Sequence, residues 1–196
     1  MQKLSDLKEL PTGYIRNKEY LRIENIVIEN IIIDFPGHVT VENTCTFDVN
    51  VIFETSMSVD IQVETPIKSG TIFRNINTVW FDYLETLPEG ITFHNINHLI
   101  FYELKHLPSD FVGSGQVVLY GMSEVTDAGI YGRNLVAVNC EDGDARIALG
   151  CFWGTKKEAI KAIKKKYGFS NKYRRSYIRK VKQAFEINRL LRPVKQ

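Results

Sequence analysis

Three of the four histidines, His94, His98 and His106, fall in one short stretch. Imidazole is a common zinc ligand, but a tetrahedral site needs convergent donors and more of them than this stretch supplies. His94 and His98 stand on the approach to a strand and His106 at a corner beyond it. Exposed positions on a β surface are therefore expected, and no metal site. The turn Glu141-Asp142-Gly143-Asp144 offers carboxylates to a hard cation, yet it is too short for an EF-hand loop and reads as a solvated turn. There is no Walker loop, H-E-x-x-H, G-x-S-x-G or C-x-x-C motif. Gly113-Ser114-Gly115 lacks the third glycine of a nucleotide fingerprint and reads as a coil corner. Cys45, Cys140 and Cys151 are an odd, sparse set, expected as small buried side chains rather than a disulfide framework. Paired carboxylates for glycoside cleavage cannot be singled out from the scattered Asp and Glu. The expectation is a protein without catalytic residues or cofactor. An unrecognised sugar- or nucleotide-processing enzyme stays open as an alternative, with clustered buried carboxylates as its mark.

The other chemistry is cationic. Residues 1–150 hold 10 Lys+Arg against 21 Asp+Glu, a net charge of −11, whereas residues 151–196 hold 15 against 2, a net charge of +13. Thr155-Lys-Lys-Glu158 reads as a capping box opening a helix that stops at Gly168. A second helix is expected from about Asn171 to Leu191, with Tyr173, Tyr177, Val181, Ala184 and Leu191 on its apolar side. Lys172, Arg175, Arg179, Lys182 and Arg189 form a basic stripe at helical spacing. With the interleaved Tyr173 and Tyr177, this stripe suits phosphate contacts and base stacking. The bland reading is a cationic cap docked on the acidic body.

That body repeats itself. The segment Phe73–Pro88 overlies Phe93–Pro108 with eight of 16 positions identical, where random composition gives about one. The period continues backward through Phe53, Val59, Ile61, Val39 and Val41. Forward, Val118 and Tyr120 match Leu99 and Phe101 if one residue is deleted. A fixed period of this length marks a solenoid, whose coils bury their apolar faces only by stacking. Val79 and Phe81, Leu99 and Phe101, and Val59, Ile61 and Val63 alternate as strands with one face inward. Trp80, Ile100, Asp60 and Gln62 then point outward. Pro66, Gly70, Pro88, Gly90 and Pro108 mark corners. The β-branched stretch from Tyr20 to Val63, with Leu21, Ile23, Ile26 and Ile28 alternating, supplies either the opening coils or an N-terminal cap of hairpins.

The pattern Leu99-x-Phe101-x-x-Leu104-x-x-Leu107-Pro108 resembles a short bacterial leucine-rich repeat. It departs from that family where an Asn normally follows the strand, since Leu84 and Leu104 stand there; Asn75 and Asn95 offer a different ladder. Gly150-Cys-Phe-x-Gly-Thr155, followed by a capped helix, a Lys-Tyr-Gly stop and a Tyr-rich helix, is similar to the C-terminal module of uncharacterised phage and prophage proteins. The match covers about residues 147–187. The resemblance implies a viral origin and brings no activity with it.

The resulting expectation is a mainly β chain. A parallel, leucine-rich-repeat-like β-solenoid of about 20-residue coils fills residues 1–150, and a basic two-helix tail fills residues 151–196. At 44% hydrophobic and 24% charged, the chain has ample apolar material for one core. The longest apolar stretch, Ile26 to Phe35, is broken by Glu29, Asn30 and Asp34, too short for a membrane span. The start lacks the apolar run of a signal peptide, so a cytoplasmic protein is expected, in the host cell if phage-encoded. The leading function is a non-enzymatic binding protein. Trp80, Ile100 and Tyr102 would meet a host protein, and inhibition of a host or defence system would follow. Nucleic-acid binding through residues 155–192 is the alternative.

Overall fold

The computed structural model describes residues 1–64, 67–108, 110–120, 135–140, 142–149, 152–169 and 171–191. The chain opens with β1 (Gln2–Lys3), a 3-10 turn (Leu4–Asp6), β2 (Tyr14–Arg16), β3 (Tyr20–Ile23), β4 (Val27–Ile28) and β5 (Ile31–Ile33). It continues through β6 (His38–Val41), β7 (Thr46–Phe47), β8 (Val51–Glu54), β9 (Ser58–Ile61), β10 (Ile72–Phe81), β11 (Thr92–Phe101) and β12 (Gln116–Leu119). The last elements are β13 (Leu135–Asn139), β14 (Ala145–Leu149), β15 (Phe152–Thr155), α1 (Lys156–Lys166) and α2 (Lys172–Leu191).

Apart from β2, the strands from β1 to β12 form the expected parallel β-solenoid. One column runs β1, β5, β8 and the first halves of β10 and β11. A second runs β3, β6, β9, the second halves of β10 and β11, and β12. β4 and β7 pair as a short third column. The 20-residue repeat is the stacking register itself: Phe53 lies on Phe73, Phe73 on Phe93, and Phe81 on Phe101. Parallel stacking places like on like, so identical inward residues build continuous columns. The rings of Phe53 and Phe73 stack at 5.0 Å, Phe73 and Phe93 at 5.4 Å, and Phe81 and Phe101 at 4.8 Å. Leu84 and Leu104, which replace the leucine-rich repeat's Asn, are buried in this core.

Corners need left-handed backbone, which Asn and Gly adopt most readily. Asn30, Asn50, Gly70 and Gly90 occupy it at one corner, and Thr55, Asn75 and Asn95 at another. The amides then bond along the stack: Asn50 Nδ2 donates to Asn30 Oδ1, and Asn95 Nδ2 to Asn75 Oδ1. Asn97 Nδ2 donates to Asn77 Oδ1 in the same way. The expected alternative Asn ladder therefore exists. Gly113-Ser114-Gly115 is also a corner, where Ser114 Oγ accepts from the Ile96 amide at 2.9 Å.

The final coil differs from the expected register. Leu99 pairs with Val117 and Phe101 with Leu119, an offset of 18 rather than 19. A slip of one residue exchanges the two faces of a strand. Val117 and Leu119 are therefore the buried pair, while Val118 and Tyr120 point outward. At the opposite end both expectations for the opening segment hold in part. β3 belongs to the stack, and β2 pairs antiparallel to it, covering the edge of the first coil.

The change of charge at residue 150 and the change of architecture do not coincide. Residues 135–149 do not extend the coil stack; β13, β14 and β15 form a separate antiparallel sheet. Its first strand is two-faced, because alternate side chains take opposite sides. Val136 and Val138 pack into the solenoid core, whereas Leu135 and Ala137 pack with Ile147, Ala159, Ile163, Tyr177, Val181 and Ala184 of a second core. The sheet thus closes the end of the solenoid and carries the helices on its far side. Thr155 caps α1 with the full capping box expected, Glu158 reaching back to the Thr155 amide. Among the described residues no helix is long and apolar enough to cross a membrane.

Candidate functional site

The second strand column turns one face to the core and the other outward. Register and backbone bonds align its outward residues in three rows across the coils. The first row is Tyr20, His38, Ser58, Thr78, His98 and Gln116. The second is Arg22, Thr40, Asp60, Trp80, Ile100 and Val118. The third is formed by Glu42, Gln62, Asp82, Tyr102 and Tyr120, whose amides each bond back to the preceding coil. Neighbouring strands stand about 4.8 Å apart, so outward neighbours touch.

Trp80, Ile100 and Tyr102, singled out from sequence, come together here. Trp80 and Ile100 are register partners and half-buried; Tyr102 is 41% exposed. Tyr102 stacks on Tyr120 with centroids 5.1 Å apart. Matching Tyr120 to Phe101 implies a core position, but the observed offset turns it outward beside Tyr102. Tyr20, His38, Thr40, Ser58, Asp60, Trp80, Asp82 and Tyr102 line an open trough of about 350 Å³ across the strands. Tyr20 and His38 stack at 5.2 Å, and His38 Nδ1 shares a hydrogen bond of 2.5 Å with Ser58 Oγ.

Two carboxylates sit in this trough. Asp60 Oδ2 accepts from Gln62 Nε2 at 2.7 Å, while Asp60 Oδ1 is buried with no hydrogen-bond partner among the described residues. Burial, then the nearby Asp82 charge, pushes the Asp60 carboxyl above its ordinary value; Glu42 adds to this, and the Gln62 bond opposes it. Burial likewise raises Asp82. Arg22, on the same face, is held by Glu24 and Glu42 at 2.9 Å each. Among the described residues neither Asp60 nor Asp82 makes an ion pair. This pairing was not legible before the coils were stacked.

A carboxyl raised on folding holds its proton to higher pH than in the unfolded chain. Folding then takes up a proton between the two pKa values, and stability falls as pH rises through that window. Asp60→Asn keeps an acceptor for Gln62 and removes the charge. Its melting temperature is expected to exceed that of the parent by about 1–3 °C at neutral pH. The difference should close below the ordinary aspartate value of 3.8. Thermal melts across pH check this; a lower melting temperature at neutral pH would contradict the electrostatic account.

The basic stripe lies elsewhere. Lys172, Arg175, Arg179, Lys182 and Arg189 are exposed on α2. Arg189 pairs with Glu186 at 2.6 Å, and Lys172 lies over the Tyr173 ring. The tyrosines do not offer stacking platforms beside this stripe. Tyr177 is buried and stacked on Tyr167, and Tyr173 packs against the same core. Their spacing put them on the apolar face, and docking of that face consumed them. On α1, Lys156, Lys157, Lys161 and Lys164 border a shallow depression with Ile160.

No protein-family model, curated protein or solved structure matches this chain.

The remaining candidates separate. Among the described residues no three His, Cys, Asp or Glu side chains gather as metal ligands. His94 and His98 are exposed on β11, and His106 bridges Thr86 beyond it. Asp142 of the acidic turn is ion-paired with Arg146. Glu141 and Cys151 lie outside the described residues. Cys45 and Cys140 are buried, and burial pushes both thiols up, away from the nucleophilic thiolate.

Proposed function

We propose that this chain is a non-enzymatic binding protein that presents the outer face of its second strand column to a protein partner. The observation that carries the reading is the contiguous set Trp80, Ile100, Tyr102 and Tyr120 on one rigid ladder. Large aromatic side chains held at low entropic cost supply most of the energy of protein interfaces. The resemblance read from residues 147–187 implies a phage origin, from which we propose a bacterial host protein as the partner and interference with a host or defence system as the role. Both belong to the cytoplasm.

The test is affinity capture from the native host with crosslinking mass spectrometry, comparing the parent with a Trp80→Ala/Tyr102→Ala variant. Loss of at least tenfold in captured partner is expected. Equal capture by the variant would remove this face from the reading.

Two alternatives rest on specific observations. The exposed Lys and Arg of both helices favour nucleic-acid binding through residues 155–192, with affinity falling steeply as salt rises. The burial of Tyr177 and the packing of the partly buried Tyr173 against the same core weigh against base recognition there. The Asp60 and Asp82 carboxyls favour a carbohydrate-processing activity, for which two carboxyl groups are the usual equipment.

A further inference from the structure

Among the described residues no cation pairs with the carboxylates of the trough. Asp60 and Trp80 are register partners on adjacent coils, and Asp82 lies two residues beyond Trp80 on the same outward face. The Trp80 side chain therefore stands beside both carboxyl positions. Among the described residues Asp60 Oδ1 is buried without a hydrogen-bond partner, and the Gln62 amide that reaches the group is uncharged. The nearby cation of the same rows, Arg22, is already held between Glu24 and Glu42. Aromatic rings border the trough at Tyr20, Trp80 and Tyr102.

We infer that this trough receives an arginine side chain of the protein partner, its guanidinium seated against Trp80 and balanced by Asp60 and Asp82. The inference rests on the proposed partner-binding face and names the group recognised there. A guanidinium is planar, weakly hydrated and stacks on aromatic rings while directing donors to carboxylates at its edge. An ammonium is a compact, strongly hydrated charge that gains less from such a surface. A bare divalent cation would need more charged oxygen ligands than two carboxylates, and the hydroxyls of Tyr20, Thr40, Ser58 and Tyr102 that line the rest of the trough are neutral. A sugar would stack on Trp80 but leave the two carboxyls without a counter-charge. A seated cation opposes the Asp82 repulsion and compensates the burial that together raise the Asp60 carboxyl.

The test uses the full chain and small probes, read by the indole N–H signal of Trp80 in NMR, assigned with Trp80→Phe. The peptide Gly-Arg-Gly with capped ends is expected to shift that signal saturably at concentrations on the order of millimolar. The same peptide with lysine should bind more weakly, and the one with citrulline, which keeps the shape without the charge, should not bind. Asp60→Asn/Asp82→Asn should weaken the arginine peptide at least tenfold while the remaining amide signals stay in place. Citrulline binding as well as arginine, or maltotriose shifting Trp80 where arginine does not, would overturn the inference. Free arginine binding more tightly than the capped peptide would also overturn it, pointing to a free amino acid rather than a partner's side chain. Partner capture separates this from the broader reading. Capture lost in Trp80→Ala/Tyr102→Ala but kept in Asp60→Asn/Asp82→Asn sinks the arginine assignment and spares the face; capture kept in both sinks both.

Discussion

Phe93→Ala is expected to cost roughly 3–5 kcal/mol of folding stability. Phe93 is 2% exposed and its ring meets those of Phe73, Phe81, Phe101 and Phe111. Truncation removes the transfer energy of a whole ring and leaves a cavity bounded by neighbours that cannot collapse. Each of those rings is held by its own coil, and each coil is fixed by backbone bonds to the next. Phe93→Leu should cost clearly less, because it retains most of the volume. Phe169, 81% exposed, supplies the control: Phe169→Ala should stay within about 0.5 kcal/mol of the parent. Denaturant titration of the four proteins, with the slope compared as well as the midpoint, checks this. A cost below 1 kcal/mol for Phe93→Ala would mean that the ring column is not the core of the stack.

Gly115→Ala is expected to cost about 2–4 kcal/mol by a different route. Gly115 has φ of +66°, and a Cβ there would press into the Ile96 carbonyl oxygen and stand 2.5 Å from the Asn97 oxygen. Both obstacles are backbone atoms of the preceding coil, so neither can swing aside. Gly70 isolates the two contributions. Its φ is +85°, yet a Cβ there meets nothing within 4 Å. Gly70→Ala should therefore show only the left-handed strain, about 1–2 kcal/mol. The excess at Gly115 measures the close approach of coils, and equal losses at the two sites would show that the approach is not tight.

Much of the solenoid was legible because a repeat is a statement about stacking. Phe73 and Phe93 share a place in the period, and in a parallel stack the same place means direct contact. The capping box at Thr155 and the end of α2 near Leu191 were legible for local reasons, since caps and helical spacing act over a few residues. The last coil was misread by one residue, because the two residues missing from it lie in a corner with no periodic marker. The tyrosines of α2 show a further limit. Helical spacing put Tyr173 and Tyr177 on the apolar side, but only packing against Leu135, Ala137 and Ile147 removed them as stacking platforms.

The outward residues mark the division most clearly. From sequence alone, alternation determined that Trp80, Ile100, Asp60 and Gln62 face away from the core, because a strand's side chains must alternate. The period itself puts Asp60 beside Trp80; only the stacked structure decided that Asp82 crowds Asp60 while Arg22 is spent on Glu24 and Glu42. The physical reason is that alternation acts within one strand, whereas charge compensation depends on which strands lie side by side. The 18-residue step from Arg22 to Thr40 sets Arg22 beside Glu42, while Asp60 and Trp80 stand at the regular step of 20. The period determined the core; the register of the coils determined the trough.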